Sequence, residues 1–353
     1  MHTQSKFRLL VVRLGAMGDI LHALPAVTGL RHAHPAWEID WVVEPRWRAL
    51  LSAPGSASLG PTRPLVNRIY FAPTKEWRQS PLSMKTLNEI RALRTQLRSV
   101  PYNAVIDLQG ALRSAVVGRL AGCQRLIGEA APREGPARWL FTERVATRGA
   151  HVIEQDVELA SAVAGDPLTA LAPLLPVDTA AEGWCDELLA SSGTRPVALI
   201  NPGAGWGAKR WPVERYAAVA RGLIERGFRI LINAGPGEEP MADVIVQGTS
   251  GAAIPLATSL EQLIALTRRI ALCVAGDTGP LHLACALGRP VVGIYGPTDP
   301  SRNGPFGTRF KVLRSPLSRR DHTRLPEPEA GLLTIEPEDV LRAASELLTQ
   351  ENA

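Results

Sequence analysis

The chain has 353 residues, 45% apolar and 21% charged, with a formal net charge of +5. This length argues two domains rather than one core. The composition excludes a disordered, collagenous or disulfide-scaffold protein, and no apolar run approaches the roughly 18 residues of a spanning helix. Cys123, Cys185, Cys273 and Cys285 show no metal-ligand spacing, which points to a reducing compartment. The first strand pattern begins within a dozen residues of Met1 with no signal peptide before it, so a soluble, cytoplasmic protein is expected.

In chain order, short β-branched runs alternate with helical patterns. In the first half, strands are expected over 9–13, 39–43, 68–71, 104–108 and 125–127, and helices over 19–33, 84–99 and 111–121. In the second half, strands are expected over 197–201, 229–233, 253–255, 272–275 and 291–294. Helices are expected there over 213–226, 239–247, 260–267 and 280–287. Such alternation predicts parallel sheets covered on both faces. The segment 164–179, with Pro167, Pro173 and Pro176, reads as a linker. The expected layout is a first domain over 1–165, a linker over 166–179 and a second domain over 180–335. A last helix over 336–353 follows, opened by Glu336-Pro337. Two α/β halves of this kind would face each other across a cleft and bind ligands beyond the strand carboxyl ends.

The run 276–300, GDTGPLHLACALGRPVVGIYGPTDP, is the most informative stretch. A strand, the turn Gly276-Asp277-Thr278-Gly279 and a helix opened by Pro280 make an anion site. Asp277 would repel an anion, so Asp277 and His282 suit hydroxyl groups instead. Phosphate and hydroxyls together suggest a nucleotide sugar. The first strand ends in Arg13-Leu14-Gly15-Ala16-Met17-Gly18-Asp19, with His22 one turn on. Asp19 is either a helix N-cap or a general base at a strand end. His22 reads as a partly buried structural histidine or a neighbour of Asp19.

After the strand at 197–201 comes Asn201-Pro202-Gly203-Ala204-Gly205-Trp206-Gly207-Ala208-Lys209-Arg210-Trp211-Pro212. Gly203, Gly205 and Ala208 match a dinucleotide fingerprint only formally, because Pro212 implies a helix start well past the third small residue. A glycine loop ending in Lys209 instead reads as an arm reaching a diphosphate, with a solvated surface lysine as the alternative. Glu238 or Glu239 after the next strand would accept from ribose hydroxyls or balance a helix N-terminus. Between Arg63 and Arg98 stand eight Lys or Arg and two Glu, a local net of +6. This stretch is a solvated face, or it attracts an acidic substrate or an anionic membrane surface. No nucleic-acid module, Walker loop or G-x-S-x-G elbow is visible, and no two Asp stand two residues apart.

These segments, in order, resemble the bacterial lipopolysaccharide heptosyltransferases of glycosyltransferase family 9, the type I enzymes above all. They are 17–27 (MGDILHALPAV), 39–44 (IDWVVE), 105–115 (VIDLQGALRSA), 209–212 (KRWP), 235–239 and the GDTGPLHL…YGPTDP run. The resemblance covers nearly the whole chain. It implies the GT-B architecture, α/β, with two Rossmann-like parallel-sheet domains: acceptor sugar on the first, ADP-heptose on the second, and a last helix crossing back to the first. It implies inverting transfer to a Kdo residue with no cofactor and no metal. Asp19 then matches the catalytic base, Lys209 the diphosphate lysine, Glu238 the ribose carboxylate, and Asp277, Thr278, Gly279 and His282 the donor loop. Arg63, Lys75, Arg78, Lys85 and Arg113 would meet the carboxylates and phosphates of a Kdo-lipid A acceptor. Peripheral contact with the inner face of the inner membrane fits that acceptor. At Ala204-Gly205 the sequence departs from the hydroxyl side chains common in the type I loop, so backbone N–H groups would contact phosphate there. The alternatives are another nucleotide sugar or acceptor within the family, an oxidoreductase built on Gly203–Ala208, or a binding protein without transfer.

Overall fold

The computed structural model describes residues 6–190, 193–320 and 325–349. It divides into two compact units, Met1–Val177 and Asp178–Ala353.

The first unit alternates β1 (Arg8–Val12), α1 (Met17–Ala33), β2 (Glu38–Val43), β3 (Arg68–Phe71), α2 (Thr74–Gln79) and α3 (Met84–Arg98). It continues with β4 (Ala104–Asp107), α4 (Leu112–Leu120), β5 (Leu126–Glu129), β6 (Glu143–Val145) and α5 (Val152–Ala164). Its sheet runs β3-β2-β1-β4-β5-β6, and every pair is parallel. The order reverses between β1 and β4, where Val12 stands opposite Asp107. Leu9 to Val12 and Ile39 to Val43 are buried almost completely, as both faces of a parallel sheet must be.

The second unit consists of α6 (Thr179–Ala190), β7 (Val197–Asn201), α7 (Val213–Glu225), β8 (Arg229–Asn233), α8 (Glu239–Gly248) and β9 (Ile254–Leu256). Then come α9 (Leu260–Thr267), β10 (Leu272–Gly276), α10 (Gly279–Ala286), β11 (Val291–Tyr295), α11 (Pro300–Asn303), β12 (Phe310–Arg314) and α12 (Pro337–Thr349). The sheet order β12-β11-β10-β7-β8-β9 repeats the doubly wound pattern of the first unit. Its reversal lies between β10 and β7, where a ligand crevice is expected.

All the expected strands form, each within one or two residues of its expected bounds. The structure adds β6 and β12, edge strands with half-exposed residues whose apolar pattern is weak. It also adds α2, α5, α6 and the short α11. The helix expected from Asp19 begins earlier, at Met17, with Ala16 at its N-cap. The N-cap reading of Asp19 is therefore wrong: Asp19 stands three residues inside and accepts from the Ala16 N–H at 3.0 Å.

The last helix also departs from its expected path. It was expected to cross back onto the first domain, but α12 packs on the second unit. Val340, Ala343, Ala344 and Leu347 join the core formed by Tyr216, Ala220 and Leu223 of α7. At Gly222 the two helices lie close, since a Cβ there would stand 2.5 Å from the Leu341 side chain. The Trp211 indole N–H donates to the Ile335 carbonyl at 3.0 Å and fixes the approach to α12. The ends of the expected ranges, 1–5 and 350–353, lie outside the described residues.

Candidate active site

In the second unit, polar residues gather where β7, β8 and β10 end. Asn201 closes β7 and Asn233 closes β8. The Asn233 amide donates to the Asn201 Oδ1 at 2.6 Å, and the Thr258 hydroxyl donates to the Asn233 Oδ1 at 3.0 Å. This ladder fixes the strand ends and was not foreseen. The only trace of it in sequence is that both strand patterns finish in asparagine.

Asp277 follows β10 directly and is 9% exposed. Lys209 donates to one carboxylate oxygen of Asp277 in a short ion pair, and the His282 Nε2 lies 3.1 Å from the other. Burial alone would push this carboxyl up. The His282 hydrogen bond and the Lys209 ammonium outweigh burial and hold it well below the usual carboxylate range. The Lys209 ammonium also lies 4.3 Å from the centre of the Trp206 ring. The sequence suggested a mobile arm or a solvated lysine; the structure shows a lysine held by a buried carboxylate.

The loop that carries Lys209 is tightly set. A Cβ on Gly207 would overlap the Pro326 carbonyl oxygen, at 1.5 Å. The Ala208 N–H donates to the Leu325 carbonyl at 3.0 Å, and the Ala208 carbonyl accepts from the Glu329 N–H. The helix after this loop begins at Val213, beyond Pro212, so the glycines do not form a dinucleotide fingerprint. Ala204 is buried and Gly205 exposed on the same loop.

Thr278 is the N-cap of α10, but its hydroxyl bonds to the Gly276 carbonyl and no side chain caps the helix. Gly279 opens α10, and Pro280 follows it. The first-turn N–H groups therefore point a positive end outward. The Glu238 carboxylate accepts from the Gly235 N–H at 2.9 Å. It lies against Gly203, where a Cβ would meet an Oε1 at 1.9 Å. Lys209, Asp277, Thr278, Gly279 and His282 thus stand at one sheet end, and Glu238 stands at the end of β8 with Gly203 beside it.

In the first unit, the Arg13 guanidinium lies 3.4 Å from the Asp19 Oδ1. Arg13 is buried, whereas the Asp19 side chain keeps 36% of its surface exposed. Asp107 closes β4 and accepts from the N–H groups of Gln109 and Gly110 at 2.8 and 2.9 Å. Asp156, on α5, is 2% exposed. Burial pushes the Asp156 carboxyl up to about 8, against the pull of Arg13. Burial also raises the Asp107 carboxyl, to about 6, against the hydrogen bonds from the Gly110 and Gln109 N–H groups. His22 is buried and meets His151 edge-on at 5.5 Å. His151 in turn caps α5 by accepting from the Ile153 N–H.

The basic residues expected to meet an acceptor are dispersed. Arg63 donates to the Ala57 carbonyl at 2.5 Å. Lys75 and Arg78 are exposed on α2, Lys85 is exposed on α3 at 3.9 Å from Glu89, and Arg113 is exposed in the first turn of α4. Among the described residues, no group of three or more His, Cys, Asp or Glu is placed to hold a metal ion. None of their helices is long and apolar enough to cross a membrane.

Each of the two doubly wound units thus carries polar residues at its sheet reversal, where sheets of this kind bind ligands. The model of glycosyltransferase family 9 (heptosyltransferase) matches residues 90–331. The lipopolysaccharide heptosyltransferase 1 of Escherichia coli (strain K12) is 32% identical over 315 residues, 88% of this chain and 94% of that protein. The solved E. coli heptosyltransferase WaaC with ADP is 28% identical, covers 98% of this chain and all of its own, and has a TM-score of 0.76. The same enzyme with ADP-2-deoxy-2-fluoro heptose matches with a TM-score of 0.72 at 27% identity over 98% of this chain and all of its own. The chain belongs to glycosyltransferase family 9. It is an enzyme of the GT-B fold.

Proposed function

We propose that the protein transfers L-glycero-D-manno-heptose from ADP-heptose to a Kdo residue of the lipopolysaccharide inner core, with inversion and without a metal. The observation that carries this reading is the Lys209–Asp277–His282 cluster at the sheet reversal of the second unit, beside the uncapped start of α10. The relatives that bind ADP and an ADP-heptose analogue support it.

In this reading the acceptor hydroxyl attacks the anomeric carbon of heptose as the bond to the ADP oxygen breaks. Asp19 accepts the hydroxyl proton, and general-base help of this kind is worth roughly 10²–10⁴-fold. Negative charge grows on the departing ADP. Lys209, the first-turn N–H groups at Thr278 and Gly279, and the backbone at Ala204-Gly205 oppose it, taking the place of a divalent cation. Asp277 and His282 orient sugar hydroxyls, and Glu238 accepts from the ribose. Arg63, Lys75, Arg78, Lys85 and Arg113 attract the carboxylates and phosphates of Kdo-lipid A. These basic residues also draw the enzyme to the inner face of the inner membrane, with its site in the cytoplasm.

The test is transfer by the purified protein, in the presence of a chelator, from ADP-heptose to Kdo₂-lipid A. The expected result is stoichiometric ADP release with a product heavier by one heptose and inverted at the anomeric carbon. ADP-heptose binding without transfer to this acceptor would overturn the acceptor assignment. Transfer abolished by chelation would overturn metal independence.

A further inference from the structure

Both carboxylate oxygens of Asp19 are held. Oδ2 accepts from the Ala16 N–H, and Oδ1 faces the Arg13 guanidinium at 3.4 Å. Arg13 is unusual for a cation beside an exposed group, because its own side chain is only 6% exposed. A buried guanidinium needs opposite charge and hydrogen bonds around it. Its main chain is fixed, since the Arg13 carbonyl accepts from the Trp41 indole N–H at 3.0 Å. The next residue is fixed as well: the Leu14 N–H donates to the Gln109 Oε1 at 2.8 Å. Val12, one residue before Arg13, pairs with Asp107 across the β1–β4 reversal.

Buried polar atoms lie around this arginine without a hydrogen-bond partner: the Arg13 Nε, the Asp107 Oδ2, the Gln109 Nε2 and the Asp156 Oδ2. Both carboxyls interact electrostatically with Arg13. They come from two different elements, β4 and α5, and α5 packs along α1, the helix that carries Asp19. Raised by burial, Asp156 keeps its proton near neutrality while Asp107 is mostly ionised. One cation then faces the Asp19 carboxylate and feels the charge of Asp107, with a neutral acid nearby.

We propose that Arg13 is a positioning residue for the base. The buried guanidinium, set by its own fixed main chain and by the charge of Asp107 nearby, fixes the direction in which Asp19 presents its carboxylate. This rests on the reading of Asp19 as the base. Arg13 is not assigned a contact with either substrate. Its loss therefore lowers kcat and leaves the KM values for donor and acceptor nearly unchanged. A misplacement of about 1 Å in a reacting group costs up to roughly 10²-fold.

The test compares Arg13→Lys, Arg13→Met, the double variant Arg13→Met/Asp107→Asn, and Asp19→Ala. The double variant removes the buried cation together with its carboxylate, so it folds where Arg13→Met alone leaves Asp107 uncompensated. The expected result is a fall in kcat of roughly 10–100-fold in Arg13→Met and in the folded double variant, with KM within about twofold. Arg13→Lys should recover most of the loss, because it keeps the charge. If the double variant turns over like wild type while Asp19→Ala is inactive, Arg13 is structural only and the proposal fails alone. If Asp19→Ala itself turns over like wild type, the base reading fails and takes this proposal with it. A loss confined to KM in the Arg13 variants would place Arg13 on a substrate and also overturn the proposal.

Discussion

The two polar clusters sit at corresponding places in two units of the same topology, yet their carboxyls are treated in opposite ways. Asp277 is buried with a lysine and a histidine on its two oxygens, and its pKa is driven down. Asp107 and Asp156 are buried with one arginine among several carboxyls, and theirs are driven up, to about 6 and about 8. The same sheet end thus makes a fixed ion pair in one unit and a proton-holding network in the other. The difference is one of stoichiometry. Two nitrogen donors for one acid fix charge, and one cation for three acids leaves a proton behind. A fixed ion pair suits the binding of a charged donor, and a network around an exposed carboxylate suits proton transfer.

The sharpest way to break this contrast is Asp19→Ala. With folding intact by circular dichroism, kcat should fall by roughly 10²–10⁴-fold in a steady-state transfer assay. Lys209→Ala comes next: kcat/KM should fall by roughly 10²-fold. The stabilisation of the protein by ADP in a thermal-shift assay should shrink with it.

A smaller effect distinguishes the two kinds of carboxyl by pH. Asp156 has a raised pKa, so its contribution to stability is full below about pH 4 and is lost as pH rises through about 8. Asp277 has a lowered pKa, so its contribution is present above about pH 4 and is lost only in stronger acid. Between pH 5 and 9 the Tm of wild type should therefore fall relative to that of Asp156→Asn, which has no proton to lose. Equal pH slopes would show that Asp156 is ionised throughout. The smallest effect is at Gly203→Ala, where the new Cβ displaces the Glu238 carboxylate. ADP affinity should weaken several-fold with little change in Tm, and an unchanged affinity would remove Glu238 from the ribose.

Much of this fold was legible because parallel strands buried on both faces read as continuous apolar runs, as at 9–12 and 197–200. The edge strands β6 and β12 were not, since their half-exposed residues carry no such run. The turn at Gly276–Gly279 and the helix after it were readable from glycine and proline chemistry. The partners of the residues there were not: nothing at position 209 announces position 277. Asp156 gave no signal at all, because its helix was not foreseen and a lone acid in a helix is ordinary. The path of α12 was not legible for a related reason. An amphipathic helix shows which face is apolar, but not which core receives it.

The division of labour between the two clusters is tested most directly by titrating ADP-heptose calorimetrically into Asp19→Ala and Lys209→Ala. The account predicts that Asp19→Ala binds the donor within about twofold of wild type while Lys209→Ala binds at least about tenfold more weakly, the effect of losing about 1.4 kcal/mol. The reverse pattern, donor binding lost with Asp19 and kept without Lys209, would contradict it.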